Sequence, residues 1–159
     1  MDKYFRTEAG KNLDVLQYIA DQVSKNPNVQ IHIGCDSQVF GAKIKFVICV
    51  VFRVGIRGGH VVYKKIVKER PPKDVPQDTQ IYNRLLEEVY MTMELAQFLL
   101  DNTSIKIHAV EFDFNEEDCH FSNKLLNLAT GWAMGLGFST KSKPDELLAC
   151  KAADHYCRT

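Results

Sequence analysis

Between Val29 and Lys68 the chain carries three apolar, β-branched runs joined by short links, and this pattern most constrains the fold. Val29-Gln30-Ile31-His32-Ile33-Gly34-Cys35 leads into Asp36-Ser37-Gln38, and Lys43 to Val54 is the second run. Gly55-Ile56-Arg57-Gly58-Gly59 then turns the chain into a third run, His60 to Lys68. Links of that kind predict an antiparallel meander. Pro71, Pro72 and Pro76 stop it, because proline cannot donate to a ladder.

The period then changes. A long helix is predicted from about Thr79 to Asp101, with Asp78 or Thr79 as its N-cap. Ile105 to Phe114 reads as a fourth strand, Phe121 to Gly135 as a helix and Phe138 to Lys141 as a fifth strand. Pro144 is expected to open a last helix reaching Tyr156. Ahead of the meander a helix is predicted from about Asn12 to Lys25, because Leu13, Leu16, Ala20 and Val23 recur at helical spacing, and Asn26-Pro27-Asn28 ends it. A helical crossover after the third strand is long enough to lay the fourth parallel to the first. The expectation is one α/β domain over residues 1–159, with residues 1–27 as an N-terminal helical extension. Its five-stranded mixed sheet would combine a three-strand antiparallel meander with two parallel strands, and carry helices on both faces.

Composition narrows the function. The 159 residues hold 20 basic and 20 acidic side chains and are 45% hydrophobic, so a disordered tail is excluded. Zero net charge excludes a protein held on nucleic acid by bulk charge alone, so function must rest on local placement. Five cysteines without regular spacing make a poor disulfide framework, and Cys49 in an apolar run reads as a small hydrophobe. Cys150, His155 and Cys157 lie close together but lack the paired knuckles of structural zinc. The N-terminus lacks the apolar stretch of a signal peptide, and no apolar run approaches the roughly 20 residues of a membrane helix. A reduced, cytoplasmic protein with no membrane partner is expected.

The acids carry the chemistry. Asp36 ends the first strand and Asp113 lies near the end of the fourth. If those strands are parallel neighbours, both carboxylates stand at the same carboxyl edge, where open α/β sheets bind ligands. Two anions so placed repel unless a cation or a proton lies between them. On the long helix, Glu88 is in line with Thr92, Leu95, Ala96 and Leu99, the stripe suited to face the sheet, whereas Glu87 shares a mixed face with Met91, Glu94 and Phe98. Glu88 is therefore preferred to Glu87. On the last helix Asp145 is in line with Leu148, Ala149, Ala152 and Tyr156, and Asp154 should point to the opposite side, in reserve. Carboxylates converging from two strands and two helices suit hard divalent cations, Mg2+ or Mn2+, and a two-metal phosphoryl-transfer site.

On these residues the chain resembles the ribonuclease H-like superfamily, and most closely its YkuK family. The matching segments are Ile33-Gly34-Cys35-Asp36-Ser37-Gln38, Ile107-His108 leading to Asp113, and Lys143-Pro144-Asp145 followed by Ala152-Ala153-Asp154. The resemblance runs from about residue 30 to the C-terminus. It implies that Asp36, Glu88, Asp113 and Asp145 are catalytic metal ligands for Mg2+- or Mn2+-dependent phosphodiester cleavage. RNA, DNA or a hybrid would be the substrate. Because the superfamily includes members that have lost catalysis, the alternative is a silent binding domain with a weak metal site.

Other residues read less specifically. Lys64, Lys65, Lys68, Arg70 and Lys73, with Arg53, Arg57, Lys141 and Lys143, could meet phosphates, although strand alternation separates Lys64 from Lys65. His108 is expected to be a satisfied strand histidine. His120, in the acidic loop after Asp113, reads as an exposed loop histidine, with a proton shuttle near a metal-bound water as the alternative. Phe121 and Trp132 are expected to pack in the core.

Overall fold

The structure is a computed structural model that describes residues 1–56, 58–114 and 121–159. Its sheet has seven strands: β1 (Tyr4–Thr7), β2 (Asn12–Asp14), β3 (Gln30–Phe40), β4 (Lys43–Val54), β5 (Gly58–Glu69), β6 (Ala109–Phe112) and β7 (Thr140–Ser142). Four helices accompany it, α1 (Val15–Lys25), α2 (Gln77–Asn102), α3 (Ser122–Gly135) and α4 (Leu148–Cys157). The strand order is β2-β1-β5-β4-β3-β6-β7. β3, β4 and β5 form the antiparallel meander, while β6 is parallel to β3 and β7 parallel to β6.

The five expected strands are all present, and the expected count is corrected by two. β1 and β2 form a hairpin that extends the sheet beyond β5, with Arg6 opposite Tyr63. Each is four residues or fewer, too short for periodicity to register. The N-terminal extension is therefore two strands followed by a helix. Asp14 caps that helix, its carboxylate accepting from the amides of Leu16 at 2.9 Å and Gln17 at 3.4 Å.

Alternation along β4 explains the layering. Ile44, Phe46, Ile48, Val50 and Phe52 point into the larger core under α1, α2 and α3. Val47, Cys49 and Val51 point the other way, against Ala149, Ala153 and Cys157 of α4. A strand buried on both faces reads as the unbroken apolar run seen in the sequence. Cys49 packs there as the small hydrophobe expected, fully buried.

Three helix starts differ from expectation, the first being α1, which begins at Val15 because Leu13 of the expected helical stripe lies in β2. α2 begins at Gln77, with Pro76 as N-cap, and Asp78 sits inside its first turn. α4 begins at Leu148, four residues after Pro144, with Asp145 in the preceding turn. Its capping is done from outside the segment. Glu111 on β6, 1% exposed, accepts from the backbone amides of Leu148 (3.1 Å), Ala149 (2.7 Å) and Cys150 (3.1 Å). A long-range carboxylate thus satisfies the orphan N–H groups that a local cap would take. His32 Nδ1 lies 3.2 Å from the same carboxylate. α4 crosses β3 so closely that a Cβ on Gly34 would come 2.9 Å from Cys150 Sγ and 3.1 Å from its amide nitrogen. Only glycine fits that crossing.

A candidate active site at the carboxyl edge of β3 and β6

The parallel pairing of β3 and β6 sets the geometry. Ile33 is opposite Val110, and three residues beyond that pair both strands carry an aspartate, Asp36 and Asp113, level with one another. α2 crosses the larger-core face with Glu88 pointing inward, and α4 lies on the other face. Between them is a cavity of about 500 Å3, lined by Asp36, Glu88, Asp113, Asp145 and Asp154, with Arg84, Lys143 and Lys151 as its cations. Leu85 and Leu147 complete it.

All four acids chosen from the sequence line this cavity, and so does the reserve, Asp154. The expectation that Asp145 and Asp154 diverge is corrected. It assumed one continuous helix through both residues. Because α4 starts only at Leu148, Asp145 sits on a turn outside the helical period, free to share the cavity with Asp154. Asp145 also does not cap α4, a place Glu111 fills. The choice between the paired glutamates follows the apolar stripe. Glu88 is 4% exposed in the cavity wall, whereas Glu87 points to the surface and forms an ion pair with Lys68.

Burial and like charge act together on these acids. Burial lifts the Asp36 carboxyl from 3.8 to about 6, an effect strengthened by the charges of Asp154 and Asp113. A backbone hydrogen bond from Ser37 and the nearby Arg84 offset part of it. Burial holds Glu88 well above the usual carboxylate range, with Asp36 the next largest cause. Ser37 Oγ donates to Glu88 Oε1, and Arg84 donates to Ser37 Oγ at 3.1 Å and to Ser37 O at 3.3 Å. Lys143, in the turn after β7, brings its ammonium to 2.9 Å from Asp113 Oδ1.

The donors are hard carboxylate oxygens, the type that Mg2+ and Mn2+ prefer. The chemistry of this donor set fits a divalent ion, and a cation would relieve the repulsion that Asp154 and Asp113 exert on Asp36. The carboxylates are not gathered around one point. Among the described residues no three His, Cys, Asp or Glu side chains stand close enough together to hold an ion.

A family model described as Ribonuclease H-like, that of the YkuK family domain, matches residues 14–158. The chain belongs to the ribonuclease H-like family. No curated protein and no solved structure matches it. The match supports a nuclease-like or nucleic-acid-related domain. The order β5-β4-β3-β6-β7, with the acids at the end of the central strand and its parallel neighbour, is the ribonuclease H-like arrangement expected from the sequence.

Several residues of consequence escaped the sequence reading. Arg84 is one helical turn before Glu88, and Lys151 is three residues before Asp154, so helical spacing from the chosen acids would have found both. Glu111 left a different signal: a lone acid in Ala109-Val110-Glu111-Phe112, where a charge must be paired. Of the basic residues, Lys143 reaches the cavity. Lys64 bonds Asp2, Lys65 bonds Thr159 and Lys68 bonds Glu87, so the third strand offers no single patch. His108 is satisfied, its Nδ1 accepting from the Ile31 amide at 3.2 Å. His120 and Arg57 lie outside the described residues. Cys150 and Cys157 are buried against β3, with Cys150 Sγ 3.5 Å from Glu111 O and Cys157 Sγ 3.5 Å from Asp36 O. The described cysteines are free, and no helix among the described residues is long and apolar enough to cross a membrane.

Proposed function

We propose that this chain is a divalent-metal-dependent nuclease, hydrolysing phosphodiester bonds in RNA, DNA or a hybrid. Asp36, Glu88, Asp113 and Asp145 would hold Mg2+ or Mn2+, with Asp154 as a further donor. The observation that carries the reading is the meeting of five carboxylates with Arg84, Lys143 and Lys151 in one cavity at the carboxyl edge of β3 and β6. When bound, the ions would neutralise charge on the scissile phosphate and polarise its oxygens. The chain's own groups would do the rest. Arg84, Lys143 and Lys151 would orient phosphate oxygens, and Ser37 would fix the Glu88 carboxylate through its hydroxyl. Glu111, by capping α4, would hold Lys151 and Asp154 in register with β6.

A second reading, a silent binding domain with a weak metal site, has one observation in its favour. Lys143 already neutralises Asp113, so that carboxylate has a cation of its own. The two readings part on one experiment. Purified protein is incubated with labelled RNA, DNA and hybrid substrates, with Mg2+ or Mn2+ and with chelator. Metal-dependent cleavage lost in both Asp36→Asn and Asp113→Asn supports the nuclease. Cleavage that survives in both variants, or binding without cleavage, removes it.

A further inference from the structure

A second cavity lies against the first turns of α2. It holds about 310 Å3 and is lined by Asp78, Thr79, Tyr82, Phe121 and Lys124. Tyr82 precedes Leu85, a wall of the acidic cavity, by three residues, and Glu88 by six. At about 1.5 Å per residue, the Tyr82 ring is rooted about 9 Å along the helix axis from Glu88.

Tyr82 packs against the larger core, but its partner Phe121 is poorly explained by folding. Phe121 was expected in the core, yet it is 48% exposed. Phe121 also occupies the N-cap position of α3, where it makes no side-chain cap bond. Ser, Thr, Asp or Asn would stabilise the helix there by about 1 kcal/mol, and an apolar ring does not. A residue that breaks the local rule without gaining burial marks a functional position. Its ring is instead set into an aromatic corner. Tyr82 meets it edge-on with centroids 5.9 Å apart, and the Lys124 ammonium stands 5.6 Å from its centroid.

The geometry points to a nucleobase subsite: the Tyr82–Phe121 corner takes a base of a single-stranded nucleic acid whose backbone enters the acidic cavity. This rests on the nucleic-acid reading above and adds to it the strandedness of the substrate. A side-chain ring can stack only on a base released from its own stack and pair, which selects single strands, loops or frayed ends over duplex. The cavity's charges orient the nucleotide. Lys124 beside Phe121 favours the phosphate on that side, and the Asp78 carboxylate on α2 disfavours it there. Asp78 and Thr79 instead face the polar edge of the base. A sequence-tolerant platform is expected, because every base has a π face.

Fluorescence anisotropy of the full chain tests this, with a short labelled oligouridylate or oligothymidylate and the corresponding duplex as probes. Ca2+ replaces Mg2+ or Mn2+, so that the acidic cavity is neutralised, and gel analysis checks that the probe stays intact. The wild type should bind the single strand more tightly than the duplex. Phe121→Ala should weaken single-strand binding by roughly 5- to 150-fold, the range for losing one stacked base, and leave duplex binding unchanged. Phe121→Trp should retain it, and Phe121→Leu, which keeps apolar area without a π face, should not. Lys124→Ala should flatten the salt dependence by about 0.7 in log–log slope, one phosphate contact. The exposed ring can be removed without unfolding the chain, and equal melting temperatures check that. Undiminished single-strand binding in Phe121→Ala, or equal losses on single strand and duplex, would overturn the subsite while metal-dependent cleavage sensitive to Asp36→Asn still upholds the nuclease. A wild type that binds no probe overturns the subsite as well, and the cleavage assay then judges the nuclease by itself.

Discussion

Replacing Asp36 by Asn should make the metal-free protein more stable and the metal-dependent protein inactive. Asp36 has a native-state pKa of about 6 against 3.8 for an unperturbed carboxyl. The native state therefore holds its proton more tightly than the unfolded chain does. Stability is undiminished below about pH 4, declines as pH rises from about 4 to about 6, and stays reduced above. At about 1.4 kcal/mol per pH unit, the penalty approaches about 3 kcal/mol once Asp36 is ionised. Asparagine keeps the shape and an acceptor oxygen for the Ser37 amide but carries no charge. At about pH 8 the variant should be more stable by up to about 3 kcal/mol, a melting temperature higher by roughly 6–12 °C for a domain of this size. Near pH 4 the two proteins should melt together. Millimolar Mg2+ or Mn2+ should raise the wild-type melting temperature and leave the variant's unmoved, by mass action on the native state. Calorimetry in chelator across that pH range decides it. A variant no more stable than wild type at about pH 8, or an advantage that persists at pH 4, would refute the view that confined negative charge dominates this cavity.

Glu88→Gln should act in the same direction and also abolish cleavage, and the Asp36→Asn/Glu88→Gln pair should gain less than the sum of its parts, because the charge of Asp36 is part of what raises Glu88. Glu87→Ala, which loses only a surface pairing with Lys68, should cost less than about 1 kcal/mol and leave cleavage intact. Glu111→Ala should cost about 3–5 kcal/mol in urea unfolding, since it orphans two buried amides and a part-buried one and leaves His32 without its carboxylate. Gly34→Ala should cost about 1–3 kcal/mol, because the new methyl meets Cys150 and α4 must move outward. Loss of Mg2+ affinity in Gly34→Ala would follow from displacement of Asp154, and equilibrium unfolding with and without the ion measures both.

The sequence made the centre of this molecule readable and left its ends obscure, for physical reasons. β3, β4 and β5 announce themselves because burial on both faces demands unbroken apolar runs, and α2 because 26 residues hold many periods of a helix. Asp36, Glu88 and Asp113 could be chosen because each interrupts a pattern that otherwise excludes charge. Nothing comparable marks β1 and β2. Their pairing with β5 is non-local, and four residues cannot display a period. The start of α4 was misplaced for a related reason. Local rules look for a cap next to the helix, and Pro144 with Asp145 looks like one. The true cap is Glu111, thirty-seven residues earlier in the chain and adjacent only once β6 lies beside β3.

That long-range cap ties the fold to the site. A helix capped by its own neighbours would keep its N-terminus whether or not it docked, and its acids would be positioned only by packing. Here the amides of Leu148, Ala149 and Cys150 find their acceptor only when α4 lies across β6. The carboxylate that receives them is two residues before Asp113 on the same strand. Glu111 and Asp113 share a parity, so both side chains lean to the α4 side of the sheet, one buried beneath the helix start and one open to the cavity. Asp154 is brought to the cavity by the same helix whose start Glu111 fixes. The strand that supplies one acid therefore also sets where the last helix delivers another. Glu111→Gln, which keeps an acceptor oxygen but loses the charge, should preserve the helix by circular dichroism. It should weaken metal binding more than it weakens folding, and equal losses in the two would mean that the cap serves stability alone.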